Sequence, residues 1–267
     1  MKSETVKTYS FSMDFFKFGR GRKTLVILPG LSVQSVMLSA DAIEKAYCSL
    51  ENDFTIYVFD RRKELPPVYS IDDMANDTAE AMSAAGIGRA CIFGASQGAM
   101  TAVKIAARYP ELAERLVLAS AAERVTDDDS AIFEDWIALA KAGDAEKLYL
   151  SFGEAIYPQA AFENLHALLT KSARSVTRED LRRFVVLAGA ARNFDATREL
   201  EMISCPTLIV GDTDDRIFGS GAAYAIIDRM KNNSDVELHL YNGYGHACYD
   251  TAPDFKERIL RFLMKED

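Results

Sequence analysis

The stretch Cys91-Ile92-Phe93-Gly94-Ala95-Ser96-Gln97-Gly98 joins an apolar run to a serine that glycines flank two residues away on either side. Its last five residues fit the pattern Gly-x-Ser-x-Gly, in which the serine occupies a sharp turn between a strand and a helix. Glycine suits both flanking positions because a Cβ atom there would clash in so tight a turn. The stretch therefore predicts that the Ser96 hydroxyl projects from the edge of a sheet, where it can act as a nucleophile.

The residues after Gly98 predict a helix that packs closely on that sheet. Small apolar side chains recur at positions 99, 102, 103, 106 and 107, which is the spacing of one helical face, and Pro110 ends the pattern. The positive end of the helix dipole would point at Ser96, and the backbone N–H of Gln97 would reach an oxyanion on an attacked carbonyl. This context favours a nucleophilic serine.

Composition and charge indicate a globular protein that acts on small molecules. The 267 residues are 49% hydrophobic and 27% charged, enough for one large α/β domain or a domain with an insertion. The net charge of −9 works against binding to nucleic acid or to an anionic membrane. The charged N-terminus lacks the apolar run of a signal peptide, so we expect a cytoplasmic protein. The sequence does not specify the oligomeric state.

The four cysteines are predicted to be reduced and buried. Cys48, Cys91, Cys205 and Cys248 are scattered along the chain, without a Cys-x-x-Cys pair or histidines at metal-binding spacing. Free cysteine is among the most often buried residue types. These residues give no reason to expect a metal site.

Short β-branched runs alternate with amphipathic segments along most of the chain. Strands are predicted at 5–12 (paired antiparallel with 15–18), 24–28, 55–59, 115–119, 206–210 and 236–241. Helices are predicted at 36–50, 71–82, 220–230 and 253–264. Such alternation implies an α/β fold, with a mostly parallel central sheet flanked by helices.

Residues 123–199 interrupt this alternation because they contain only helical patterns. We predict that they form an all-helical cap, or lid, over the carboxyl edge of a core built from residues 1–122 and 200–267. Phe133 and Trp136 of the cap, with Gly30 of the core, are the candidates for contact with substrate. The alternative is that the aromatic side chains of this segment pack only against one another.

A serine nucleophile needs a base, and His246 is the best placed of the three histidines. It follows the last predicted strand in a glycine-rich loop, whereas His239 lies within that strand and His166 lies on a predicted cap helix. A carboxylate is needed in turn to orient the base. The segment after the strand that ends at Val210 supplies three candidates, which are Asp212, Asp214 and Asp215.

With the serine turn, the aspartate loop and the histidine loop in this order, the chain resembles the α/β-hydrolases that carry a helical cap, over nearly its whole length outside the cap. The resemblance implies the α/β-hydrolase fold. It also implies that the acid lies three residues after the glycine that ends its strand, which selects Asp214 and leaves Asp215 as the alternative. The first oxyanion donor would be the Leu31 N–H, and the second would be the Gln97 N–H.

Two positions depart from the family pattern. Pro29 stands where these proteins usually have a histidine that holds the oxyanion loop in place. The loop at 61–67 contains Arg61, Arg62 and Lys63 and lacks the usual glycines. These basic side chains are expected at the rim of the site, where they are either simply solvated or favour an acidic substrate.

The combined motifs predict a carboxylesterase-like serine hydrolase. Ser96 would attack the carbonyl of a small-molecule acyl substrate, with His246 as base, Asp214 as the orienting acid and no cofactor or metal. The alternative is a small-molecule sensor on the same scaffold, with slow or no turnover. The motifs do not specify the acyl length, the leaving group or whether the bond is an ester, thioester or lactone.

Overall fold

Eight strands form one sheet in the computed structural model, which describes residues 2–266. The strands are β1 (Glu4–Lys7), β2 (Ser12–Gly19), β3 (Lys23–Leu28), β4 (Phe54–Arg62), β5 (Ala90–Ala95), β6 (Ala113–Ala119), β7 (Thr207–Asp212) and β8 (Val236–Tyr241). Their spatial order is β1-β2-β4-β3-β5-β6-β7-β8. Strand β2 runs antiparallel to both of its neighbours, and the six strands β3 to β8 pair in parallel. The prediction of a mostly parallel sheet is confirmed.

The helices fill the connections between the strands. They are α1 (Ala40–Tyr47), α2 (Ile71–Ala84), α3 (Gln97–Arg108), α4 (Asp127–Ala142), α5 (Ala145–Ile156), α6 (Gln159–Ala173), α7 (Arg178–Arg192), α8 (Thr197–Leu200), α9 (Ala222–Arg229), α10 (Cys248–Thr251) and α11 (Phe255–Leu263). Helices α4 to α7 follow one another between β6 and β7, within the segment predicted as the cap. A β-bridge between Arg124 and Asp195 joins the two ends of that segment. No helix within residues 2–266 combines the length and apolar character needed to cross a membrane.

The core has two halves, one on each face of the sheet. Along β3, Leu25 and Ile27 belong to the apolar cluster that includes residues of α1 and α11, whereas Val26 and Leu28 belong to the cluster that includes residues of α2 and α3. Successive strand side chains point to opposite faces, so a strand covered by helices on both sides must be apolar throughout. This explains why β3 and β5 read as continuous apolar runs.

Three details differ from the sequence predictions. The region predicted as one strand at 5–12 divides into β1 and the start of β2, which pair as a hairpin. Strand β4 extends to Arg62 because Met13 of β2 pairs with it beyond a register shift. Cys91 and Cys248 are buried as predicted, whereas Cys205 is half-buried and Cys48, which begins a short 3-10 turn at the surface, is exposed.

Candidate active site

The predicted turn at Ser96 is present and is tightly packed. Strand β5 ends at Ala95 and α3 begins at Gln97, so Ser96 alone makes the turn, with φ 52° and ψ −119°. A positive φ is strained for a serine and persists only where the surroundings enforce it. A Cβ atom on Gly94 would lie 2.4 Å from the Gly98 carbonyl oxygen, and one on Gly98 would lie 1.9 Å from the Leu28 carbonyl oxygen. Neither glycine can therefore be replaced without moving backbone.

We expect Gly98→Ala to lower the free energy of unfolding by about 3 kcal/mol or more, because the clash is with backbone that cannot move away. The matched control is Gly189→Ala, in the interior of α7, where a Cβ atom meets nothing within 4 Å. That change should stabilise by roughly 0.5–1 kcal/mol, the usual gain from replacing glycine by alanine within a helix. Urea unfolding of both variants measures the difference, and equal stabilities would contradict the packing described for Gly98.

Ser96, His246 and one aspartate form a hydrogen-bonded chain. His246 Nε2 lies 2.9 Å from Ser96 Oγ, and His246 Nδ1 lies 2.9 and 3.0 Å from the two carboxylate oxygens of Asp215. The backbone N–H groups of Ile217 and Phe218 also donate to Asp215 Oδ1, at 2.8 and 3.2 Å. Burial by itself raises the pKa of Asp215, but the charge and hydrogen bond of His246 and these two amides hold its pKa below the ordinary value. The carboxylate is thus kept ionised against His246.

The structure places Asp215, rather than the predicted Asp214, against His246. Strand β7 continues two residues past its predicted end at Val210, through Asp212, and in the turn that follows the Asp215 side chain is buried. Asp212 is buried and accepts hydrogen bonds from the amides of Asp214 (2.7 Å) and Tyr244 (2.9 Å). This turn leaves the Asp214 side chain exposed to solvent. The alternative assignment of the acid to Asp215 agrees with the geometry.

The loop that carries His246 is held on two sides. Ser120, which follows β6 with φ 51°, donates from its Oγ to the His246 carbonyl oxygen. The backbone N–H of Ala247 donates to the carbonyl oxygen of Ile156, the last residue of α5, at 2.8 Å. Ser120 was not among the predicted site residues, and the only signal for it in the sequence is a polar residue directly after a buried strand. The other two histidines lie elsewhere: His166 is exposed on α6, and His239 packs against Tyr241 on β8.

The loop after β3 passes beside Ser96. A Cβ atom on Gly30 would lie 3.4 Å from the Cβ of Ser96. Within residues 2–266, neither the Leu31 amide nor the Gln97 amide donates a hydrogen bond to the protein. Two free N–H donors next to the serine are the arrangement that an oxyanion requires.

Arg61 anchors this loop from the interior of the protein. Its Nη2 donates to the carbonyl oxygens of Pro29 (2.8 Å) and Gly30 (3.0 Å) and to Gln97 Oε1 (3.0 Å). Arg61 was expected at an exposed rim, but the extension of β4 carries it into the interior, where it is buried. Burial lowers its pKa, while neighbouring Asp60 acts in the opposite direction. Arg61 therefore holds the loop at Pro29, where the family's usual histidine is missing.

Gln97 extends this network to the helices above the sheet. Its side chain is buried and its Nε2 donates to the carbonyl oxygen of Leu187, on α7, at 2.7 Å. From the same helix, Arg183 donates to the carbonyl oxygens of Arg62 (2.7 Å) and Lys63 (3.1 Å) at the end of β4. Helix α7 is thereby fixed to the strand end that carries Arg61.

A cavity of about 520 Å³ lies over Ser96 and His246, between the loop after β3 and helices α4 to α6. The three residues proposed to contact substrate, Gly30, Phe133 and Trp136, all line it. Other aromatic residues of the predicted cap divide into two groups. Tyr149, Phe152 and Tyr157 line the cavity, whereas Phe184 and Phe194 are buried in the core cluster.

Comparison with known proteins agrees with this architecture. Residues 23–253 match the family described as alpha/beta hydrolase fold. The chain is 28% identical over 228 residues to RutD of Agrobacterium fabrum, named as a proposed carbamate hydrolase, covering 82% of this chain and 86% of that protein. It is 27% identical over 250 residues to the protein of the same name from Rhizobium rhizogenes, covering 90% of this chain and 92% of that protein.

Solved structures show the same fold at lower sequence identity. MGS-M2, an alpha/beta hydrolase enzyme from a Medee basin deep-sea metagenome library, superposes with a TM-score of 0.87 at 21% identity, covering 99% of this chain and 98% of that one. The enol-lactonase from Burkholderia xenovorans LB400 superposes with a TM-score of 0.84 at 16% identity, covering 98% of this chain and all of that one (100%). The fold prediction is confirmed.

Proposed function

Because the chain belongs to the α/β-hydrolase fold family, whose pattern matches residues 23–253, we propose that the protein is a serine hydrolase that cleaves a small-molecule carboxylic ester. One observation carries the proposal. It is the continuous hydrogen-bonded chain from Ser96 Oγ through the His246 ring to the buried carboxylate of Asp215. A serine hydroxyl is a weak nucleophile, and a histidine oriented by a carboxylate is what activates it.

The geometry supports a two-step acyl transfer. His246 Nε2 takes the proton of Ser96 as its oxygen attacks the substrate carbonyl, and Asp215 stabilises the resulting imidazolium. The amides of Leu31 and Gln97 bind the oxyanion that forms on the carbonyl oxygen. His246 then gives its proton to the leaving group, and water, activated by the same ring, releases the acid from Ser96.

Hydrolysis of a carbamate is the second candidate, favoured by the names of the RutD proteins that this chain resembles. Attack of Ser96 on a carbamate carbonyl would use the same base, acid and oxyanion donors. Carbamates and carboxylic esters therefore belong in one substrate panel.

The test is labelling with a fluorophosphonate probe, followed by intact mass and peptide mapping, beside turnover of p-nitrophenyl esters and carbamates. We expect one label per chain, on the peptide that contains Ser96, and multiple turnovers of an ester. Labelling without turnover of any substrate in the panel would favour the sensor alternative. Neither labelling nor turnover would contradict the proposed mechanism.

Arg61 is expected to act on kcat through the oxyanion loop. Arg61→Lys keeps the positive charge but loses the planar donor group that holds Pro29 and Gly30, so kcat should fall on the order of 100-fold with a smaller change in KM. The control is Arg62→Met, since Arg62 pairs with Asp77 at 3.4 Å and does not contact the loop. Steady-state kinetics of both variants give the comparison. Equal kcat values in the two variants would contradict the role given to Arg61.

A further inference from the structure

The lining of the cavity over Ser96 contains no Asp, Glu, Lys or Arg, as far as residues 2–266 are concerned. Its walls are aromatic and aliphatic, and its other polar groups are mainly hydroxyls and backbone. Burial raises the pKa of Tyr149 to about 12 and also raises the pKa of Tyr157, so both phenols stay neutral. A charged substrate group would therefore enter without a counter-ion.

The basic residues expected at the rim of the site are engaged elsewhere. Arg61 holds the loop after β3, Arg62 pairs with Asp77 at 3.4 Å, and Lys63 pairs with Asp14 at 2.9 Å. None of the three basic residues is among the residues that line the cavity. The hypothesis that this rim favours an acidic substrate therefore has no support in the structure.

We propose that the cavity selects substrates whose acyl part is uncharged and rejects those whose acyl part carries a carboxylate. This inference rests on the proposed function, since it concerns the substrate of that same site. Moving an ionised carboxylate from water into an apolar cavity without a partner is strongly unfavourable. The net charge of −9 adds a long-range repulsion of anions.

Three p-nitrophenyl esters with the same six-carbon acyl chain test the proposal. They are the hexanoate, the adipate with a free terminal carboxylate, and the same adipate capped as its methyl ester. We expect the capped adipate to be hydrolysed within about 10-fold of the hexanoate, and the free acid to have a kcat/KM at least about 100-fold lower than the capped form. Spontaneous hydrolysis of each ester is subtracted.

A pair of variants on α6 tests the electrostatic cause. Ser172→Arg places a cation in the cavity lining at a half-buried position. It should lower the ratio of kcat/KM for the capped adipate to kcat/KM for the free acid by about 10-fold or more. The matched control is Leu168→Arg, since Leu168 lies on the same helix, is 58% exposed and is not part of the lining. In Leu168→Arg the ratio of kcat/KM for capped to free adipate should stay within about twofold of the wild-type ratio.

The outcomes separate the two proposals. If wild type hydrolyses the free acid as well as the capped ester, the selection is wrong while the hydrolase stands. An unchanged ratio in Ser172→Arg would contradict the electrostatic explanation. If wild type hydrolyses none of the esters and takes no fluorophosphonate label, the proposed function itself fails, and this inference fails with it.

Tyr249 lies on α10, just after the loop that carries His246. Its hydroxyl lies 3.8 Å from the position that a Cβ atom would take on Gly30, and the residue lines the cavity. The other two tyrosine hydroxyls of the cavity wall have partners, since Tyr149 donates to Gln34 and Tyr157 donates to Asp250. Within residues 2–266, the Tyr249 hydroxyl has no such bond and is free to meet substrate.

We infer that Tyr249 is a catalytic residue whose hydroxyl donates a hydrogen bond to an oxygen of the reacting acyl group. The inference rests on the proposed function and adds a side-chain donor to the two backbone amides. Burial raises the pKa of Tyr249 well above its ordinary value, which keeps the hydroxyl protonated as a donor.

Tyr249→Phe removes only the oxygen, so it should lower kcat about 10-fold or more, with KM changed by less than about threefold and an unaltered melting temperature. Tyr109→Phe is the control, because the Tyr109 hydroxyl donates to Asn76 and the residue is not part of the cavity lining. A kcat within about twofold of wild type for Tyr249→Phe, or equal losses in both variants, would overturn the assignment. Absence of turnover in wild type would instead refute the proposed function and this role together.

Discussion

Asp215→Asn is expected to lower kcat on the order of 10⁴-fold, whereas Asp214→Asn should leave it within about twofold. The asparagine keeps the size and position of the side chain but removes the charge that stabilises the His246 cation. Its amide group would also favour the wrong tautomer of the ring, because His246 Nδ1 would no longer face two acceptor oxygens. Steady-state kinetics with one p-nitrophenyl ester measure both variants.

The two aspartates form a matched pair because they are adjacent in the chain and differ in what they contact. Asp214 is exposed, and its backbone N–H donates to Asp212. Asp215 is 8% exposed, and its carboxylate accepts hydrogen bonds from Nδ1 of His246 and from two backbone amides. A large loss in Asp214→Asn with little loss in Asp215→Asn would return the acid to the residue that the family pattern selects, and would contradict the geometry described above.

Ser96→Ala should reduce kcat by 10⁴- to 10⁶-fold and abolish labelling by the fluorophosphonate, since the variant lacks the atom that attacks the carbonyl. Any residual rate would come from substrate binding and the oxyanion donors, with water as the nucleophile. The fold should be retained, because alanine can take the place of serine in the turn between β5 and α3 without adding atoms. Turnover, intact mass after labelling and thermal unfolding together measure these effects.

The control for Ser96→Ala is Ser172→Ala, which removes a hydroxyl from the lining of the same cavity on α6. Ser172 lies outside the hydrogen-bonded chain of His246, so its variant should keep kcat within about threefold of wild type and should still take one label. Retained turnover in Ser96→Ala would mean that another group attacks the substrate, which contradicts the acyl-enzyme mechanism.

The features that depend on neighbours along the chain were predictable from the sequence. The alternation of apolar strands with amphipathic helices determines a parallel sheet covered on both faces, because only such a sheet buries strands like β3 and β5 completely. The turn at Ser96 follows from two glycines at fixed spacing, which are the residues that tolerate the close backbone contacts seen there. The position of His246 follows in the same way from a glycine-rich loop after the last strand.

The tertiary structure alone decided which side chains meet across the sheet. Strand β7 stays paired with β8 up to the pair Asp212 and Tyr241, and the turn that follows brings Asp215 rather than Asp214 to His246. The burial of Arg61 depends on the extension of β4 along β2. A strand ends where its hydrogen-bonded partner ends, and that partner lies tens of residues away in the sequence. A shift of one residue turns a side chain from solvent to the interior, so only the folded chain could show that Asp215 contacts His246 and that Arg61 holds the loop after β3.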